Sequence, residues 1–390
     1  MKQYQYLIIG GGLAGDAAVR GIRELDTKGS IGVLCLEPDP PYVRPKLSKG
    51  LWKGTPMEKI WCDTEALGAE LLLGRKAVRL NAQKRVVHDE TGEAYAYGSL
   101  LLATGGSPIH LPFGSEKIIY YRGLQDYHRL RALSEKGEYF LVIGGGFIGS
   151  EIAAALTMAG KKVIMVFPEE GIGAKVYPQD LSRFISDYYR QKGVEVVSGD
   201  SVGSLGKAGD RFSVHTKGGR VFEVDGVVAG IGIRANTELA VEAGLKTDNG
   251  ITVDRQLQSS EPGIYAAGDV ANFFHPTLKR HVRLEHEDNA VQMGRLAGRN
   301  MAGSHDSYTH APMFYSDLFD LGYEAVGELS SSLETQADWK DPYRKGVVYY
   351  MEDGRVRGVL LWNVWDSVPS ARALLAEPGP IKAKDLIGRI

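Results

Sequence analysis

The sequence predicts an α/β fold in which a doubly wound β-α-β unit on a parallel sheet occurs twice, followed by a smaller C-terminal α+β domain built on an antiparallel sheet. Three observations carry this. Residues 6–15 read YLIIGGGLAG and residues 140–149 read FLVIGGGFIG, with six of ten positions identical. Each block passes from an apolar run through a triple glycine into a helical stretch, and a second apolar run follows at 31–37 and at 161–169. That is β-turn-α-β written twice, 134 residues apart. From about residue 309 the character changes: GYEAVGEL, KGVVYYMED and RVRGVLLWNV are short apolar runs between Gly, Asp and Pro turns, which reads as antiparallel strands.

Composition fits this plan. At roughly 150 residues per domain, 390 residues make two or three domains. The net charge is −2 and no run of Lys and Arg forms a basic patch, so a nucleic-acid or anionic-membrane surface is not expected. No apolar run approaches the roughly 20 residues of a membrane span. Glycine is the outlier at 49 residues, nearly twice the usual share of about 7%, without a triplet repeat. Cys35 and Cys62 stand 27 positions apart, so they form neither a disulfide framework nor a local redox pair. With MKQYQ running directly into an apolar strand, the expectation is a cytoplasmic protein.

The glycines concentrate in two G-x-G-x-x-G turns, Gly10, Gly12 and Gly15, then Gly144, Gly146 and Gly149. The first glycine permits the tight turn, the second lets backbone approach a pyrophosphate, and the third lets helix and strand pack closely. The phosphate would sit on the free N–H groups and positive end of the helix. An acid follows each turn near the end of the next strand: Glu37, 22 residues beyond Gly15, and Glu169, 20 residues beyond Gly149. A carboxylate there accepts from ribose hydroxyls and repels a 2′-phosphate, so Glu169 favours NADH over NADPH. The plainer alternative is that either acid is a solvated strand end, and Glu170 competes with Glu169 for the role. Two dinucleotide units in one chain imply a flavin and a nicotinamide, because hydride transfer between them needs both.

Two further segments, LLATGGSP at 101–108 and GIYAAGDV at 263–270, resemble the pair that completes the FAD site of two-dinucleotide-binding, glutathione reductase-like flavoproteins. Over nearly the full length the chain most resembles the apoptosis-inducing factor-like FAD/NADH oxidoreductases, and next the ferredoxin and rubredoxin reductases. The segments that carry this are PYVRPKLSKGLW at 41–52, LEHEDNAVQMGRLAGRNMAG at 284–303, MFYSDLFDLGYEAVGE at 313–328 and KGVVYYMEDGRVRGVLLWNVWDSVPSAR at 345–372. The expected division is an FAD-binding domain at 1–116 and 244–308, an NAD-binding domain at 117–243 and the C-terminal domain at 309–390.

The resemblance implies roles residue by residue. The FAD set is Gly10, Gly12, Leu13, Ala14, Gly15, Glu37, Arg44, Lys49, Ala77, Ala103, Thr104, Gly105, Asp269, Glu285, His286 and Tyr315. Within it Asp269 binds the ribityl–phosphate end, Lys49 sits near the flavin N5, Glu285 and His286 flank the isoalloxazine, and Tyr315 is an aromatic near the nicotinamide. The NAD set is Gly144, Gly146, Phe147, Ile148, Gly149, Glu151, Glu169, Lys175 and Gly232. Lys49, Glu151 and Phe147 are the catalytic candidates: Phe147 lies between the two rings, and Glu151 pairs with Lys49 and holds the nicotinamide carboxamide. A cation fixed beside the flavin would stabilise the charge that hydride delivery brings there. No metal is expected.

Plainer readings of the same residues stand beside these. Glu151, placed in the first helical turn, could serve the helix dipole alone; Phe147 could be core; Lys49 and Arg44 could be surface cations. There are also departures from the family. Glu287 stands where the second of two paired histidines is expected, only SSSLETQADWKDPYR occupies the position of a long C-terminal insertion, and no redox cysteine pair is present. The function expected is an FAD-dependent NADH oxidoreductase that sends electrons to an external acceptor: a ferredoxin- or rubredoxin-type protein, a quinone or oxygen. The alternative is a redox switch whose NADH-reduced charge-transfer complex controls homodimer formation or partner binding. Tyr349, Tyr350, Trp362 and Trp365 read as core aromatics, and Cys35 as a buried, inert mid-strand thiol.

Overall fold

The structure, a computed structural model, describes residues 1–114 and 116–390. By contacts the chain divides into two compact units. The first contains Met1–Pro45, Pro56–Ser107 and Arg234–Pro312; the second contains Lys46–Thr55, Pro108–Ile233 and Met313–Ile390.

In the first unit, β1 (Lys2–Ile9), α1 (Leu13–Arg23) and β2 (Ile31–Cys35) form the predicted β-α-β. All five residues of β2 are buried, as a parallel strand covered on both faces requires. β1 lies parallel between β2 and β3 (Ala94–Leu102), Ala69–Leu73 extends the sheet beyond β2, and Ile264–Ala266 pairs parallel with the end of β3. Ile9 is in register with both Leu34 and Leu102, and Leu102 with Ala266. The carboxyl ends of four strands therefore finish level, the edge at which open parallel sheets bind ligands. On one face α1 packs against the helix Glu287–Met301. Gly294 and Gly298 approach the carbonyls of Ala14 and Ala18 so closely that a Cβ on either would collide. The absence of side chains at these two positions is what lets the helices meet.

In the second unit, β4 (Tyr139–Ile143), α2 (Phe147–Met158) and β5 (Lys162–Phe167) repeat the pattern. The parallel sheet runs in the order Val194–Ser198, β5, β4, Gly226–Ala229, Ile118–Tyr120. The same unit holds a three-stranded antiparallel sheet between residues 202 and 224 and the predicted C-terminal antiparallel sheet. The latter has the order Met313–Leu318, Leu321–Gly327, Arg355–Trp362, Lys345–Glu352, Glu334–Asp341, with the helix Val368–Ala376 packed on it. Tyr349, Tyr350 and Trp362 are fully buried in this sheet, as expected, and the Trp362 indole donates to the Tyr343 carbonyl at 2.8 Å. Trp365 is the exception at 51% exposed, because it stands in the turn after the strand rather than within it. Among the described residues, no helix is long and apolar enough to cross a membrane.

Candidate functional site

At the end of β1, the Gly10 N–H donates to Leu34 O at 2.8 Å, and its φ of +126° is one that L side chains rarely adopt. A Cβ on Gly10 would run into the Ala103 carbonyl, and a Cβ on Gly15 into the Gly10 carbonyl; Gly12 has no neighbour within 4 Å of where its Cβ would stand. The first and third glycines therefore allow chain to meet chain. The second leaves bare backbone at the start of α1, where Leu13 and Ala14 open the helix and where a phosphate could come close. The other predicted residues gather at the same strand ends. Ala103 N donates to Ile9 O at 2.8 Å. The Thr104 hydroxyl donates to Asn236 O at 2.7 Å and the Asn236 amide to Thr104 O at 2.9 Å, while Asn236 N donates to Gly105 O at 3.0 Å. Asp269 sits in the single turn Gly268–Val270, and Ala77 opens the strand Ala77–Asn81.

Glu37 is not a free strand end: it accepts from the Tyr42 hydroxyl at 2.5 Å and from Arg44 at 2.6 Å, and Arg44 also donates to that hydroxyl at 3.0 Å. Arg44 is thus part of a built cluster and not a loose surface cation. Glu285 is exposed and paired with Arg283 at 2.8 Å, and Arg283 also donates to Asp269 O at 3.0 Å. His286 is the N-cap of the helix Glu287–Met301. Burial pulls its pKa down to about 4, against the opposing pull of Asp269 and Asp288, so the imidazole is neutral at neutral pH. Cys35 is the last residue of β2, not a mid-strand one. It lies wholly buried where a Cβ on Gly11 would strike its sulfur, and burial pushes its thiol up to about 12.

The second glycine turn repeats the first. Gly144 has φ +113° and abuts the Gly230 carbonyl, Gly149 abuts the Gly144 carbonyl, and Gly146 faces open space. Phe147 and Ile148 begin α2 at 40% and 38% exposed, so Phe147 is not core; its ring meets Phe314 at 5.9 Å. Glu169, two residues past β5, is ion-paired with Lys175 at 2.7 Å, whereas its neighbour Glu170 is exposed. Gly232, with φ +100°, accepts from Ile109 N at 2.9 Å.

Glu151 is the fifth residue of α2 and lies outside its first turn, so the dipole role has no geometric support. Its side chain is only 3% exposed. Lys49 stands 2.9 Å from each carboxylate oxygen, Ser48 donates to one at 2.6 Å, and Ser316 donates to the other at 2.6 Å. These four contacts occupy the roughly four lone-pair sites of a carboxylate. Lys49 itself is 12% exposed, with its ammonium 5.1 Å from the centre of the Tyr315 ring. Its loop is anchored by the Tyr121 hydroxyl, which donates to Leu47 O at 2.6 Å. A buried ion pair needs further hydrogen bonds to offset desolvation, and the two serines supply them. Ser48, Ser316 and Asn236 were not among the residues expected from sequence. Ser316→Ala should lower unfolding stability by about 1–3 kcal/mol, the range for removing a hydrogen bond to a buried charge; denaturant melts of the two proteins would show it, and coincident curves would remove Ser316 from the cluster. Among the described residues no group of His, Cys, Asp or Glu could hold a metal ion.

The protein-family model for pyridine nucleotide-disulphide oxidoreductases matches residues 4–294. The chain belongs to that family. The model for the C-terminal region of mitochondrion-associated apoptosis-inducing factor matches 297–341 and 336–377 of this oxidoreductase. It is 32% identical to mitochondrial apoptosis-inducing factor 1 of Dictyostelium discoideum, over 96% of this chain and 79% of the relative. It is 31% identical to the ferredoxin–NAD(+) reductase component of the anthranilate 1,2-dioxygenase system of Burkholderia cepacia, over 96% and 95%. Among solved structures, the covalent putidaredoxin reductase–putidaredoxin complex superposes with a TM-score of 0.92 at 29% identity, covering 99% of this chain and 96% of that one. This member of the pyridine nucleotide-disulphide oxidoreductase family is accordingly an FAD-dependent NADH oxidoreductase of the apoptosis-inducing factor-like, two-dinucleotide-binding type.

Proposed function

We propose that this oxidoreductase sends the electrons of NADH to a small ferredoxin-type protein. The observation that carries the reading is the end-to-end likeness to a ferredoxin–NAD(+) reductase component, 31% identical over 96% of this chain and 95% of that one. FAD, when bound, supplies the hydride-accepting ring and the means of handing electrons on.

The residues present fit that cofactor pair. In the first unit, Gly12 leaves the N-terminus of α1 open to a phosphate, Glu37 offers its carboxylate to ribose hydroxyls within the Tyr42–Arg44 clasp, and Thr104, Gly105 and Asp269 line the neighbouring strand ends. In the second, Gly146 opens α2 in the same way and Glu169 receives the adenosine ribose. Lys49 presents a fixed positive charge held in place by Glu151, whose carboxylate would also hold the nicotinamide carboxamide of a bound NADH. A charge preorganised in a nearly dry site acts more strongly than one in water. We assign FAD binding to 1–116 with 244–308, NAD binding to 117–243 and a third domain to 309–390, supported by the separate C-terminal family match. We place the protein in the cytoplasm, without nucleic-acid or membrane partners, consistent with its net charge of −2, and as a homodimer whatever its redox state.

The test is to mix the purified yellow protein with NADH without oxygen, follow bleaching of the flavin band, then offer an oxidised ferredoxin, a quinone or air. Rapid recovery with the ferredoxin supports the reading. Recovery only with quinone or air replaces the acceptor. The C-terminal match favours one second reading, a redox switch; slow recovery with every acceptor, together with NADH-dependent dimerisation, would establish it instead.

A further inference from the structure

Glu169 and Lys175 belong to a short stretch of backbone that is pinned from three sides. Gly173 N donates to Gly145 O in the glycine turn at 2.8 Å, Gly199 N donates to Glu169 O at 2.9 Å, and Ser331 N donates to Lys175 O at 3.1 Å. The Lys175 backbone is therefore fixed beside the second dinucleotide turn while its side chain, 82% exposed, stays free to reorient. What holds the ammonium is the Glu169 carboxylate at 2.7 Å. Burial opposes ionisation of that carboxyl, but the hydrogen bond and charge of Lys175 hold it below the usual carboxylate range, so it is charged at neutral pH.

A carboxylate at this point of a β-α-β nucleotide unit meets the adenosine ribose, where NADPH carries its 2′-phosphate. We infer that Lys175 is a latent 2′-phosphate-recognition residue masked by Glu169, so that one side chain both repels the phosphate and neutralises the cation that would bind it. Preference for NADH then rests on two linked effects, and removing the single carboxylate charge both lifts the repulsion and frees the ammonium.

The inference rests on the assignment of the second glycine turn to NAD(H), and the experiment separates the two. Glu169→Gln keeps a group that can hydrogen-bond the ribose but loses the charge. It should raise kcat/KM for NADPH about tenfold, and raise affinity for 2′-AMP over 5′-AMP by a similar factor in calorimetric titrations, the size of one modest charge contact. Glu169→Gln combined with Lys175→Ala should bring both back to within about threefold of the starting protein. A gain that survives loss of Lys175 overturns the inference, since lifted repulsion alone would then explain it. An unchanged NADPH and 2′-AMP response with an altered KM for NADH also overturns it while leaving the NAD(H) assignment in place. If neither substitution moves any of these constants, the inference and the site assignment fall together.

Discussion

Replacing Lys49 by methionine should leave FAD bound and slow reduction of the flavin by NADH about a hundredfold, the loss seen when one preorganised electrostatic contact is removed from an active site. Methionine is unbranched and matches lysine as far as Cε, lacking only the ammonium, so the change isolates the charged group. Stripping one partner from a buried pair usually costs about 3–5 kcal/mol because the other charge is stranded. Here Glu151 keeps the Ser48 and Ser316 hydroxyls, both at 2.6 Å, so the stability loss should be smaller, about 2 kcal/mol. Rapid mixing gives the rate, and denaturant unfolding gives the stability. A variant that is destabilised but reduces its flavin at the original rate would make the pair structural.

The second large effect is a contrast between two glycines of one turn. Gly149→Ala places a methyl against the Gly144 carbonyl, so α2 must move off the sheet; NADH binding should be lost and unfolding stability should fall by about 1–3 kcal/mol. Gly146→Ala meets no protein atom, and the φ of −85° at that position suits alanine. It should fold within about 1 kcal/mol of the parent, the cost of alanine at an N-cap, yet weaken NADH at least tenfold, because the added methyl enters the space left for the ligand. Thermal melts and NADH titrations of both variants decide the matter. Undiminished NADH affinity in Gly146→Ala would mean that no dinucleotide lies on this helix.

What the sequence made legible was local. Each dinucleotide turn is written in about thirty consecutive residues as strand, glycines, helix, strand and acid, so Gly10, Gly144, Glu37 and Glu169 could be assigned by counting. Family likeness added Lys49 and Glu151. Ser48 and Ser316 left no such signal, since they reach Glu151 from 103 and 165 positions away and a serine in a polar loop or a strand has no period to betray it. Asn236, closing on Thr104 from 132 positions away, was hidden for the same reason. Burial was harder to read than position. Trp365 looked like its buried neighbours Tyr350 and Trp362 because composition cannot say where a strand ends, and the core alternative for Phe147 could be set aside only in the structure because an exposed aromatic and a packed one are spelled alike.

The stretch Lys46–Thr55 has a bearing on how such proteins can be recombined. It leaves the first compact unit after Pro45, contributes Ser48 and Lys49 to the carboxylate cluster of the second, and returns at Pro56. A crossover that exchanged the first nucleotide module as one continuous block, in nature or in a laboratory chimera, would carry this insert with it and install a foreign lysine and serine against a resident Glu151. Viable hybrids should therefore keep residues 46–55 and Glu151 from the same parent even when everything around them comes from two, a linkage of inheritance that the order of the modules along the chain conceals.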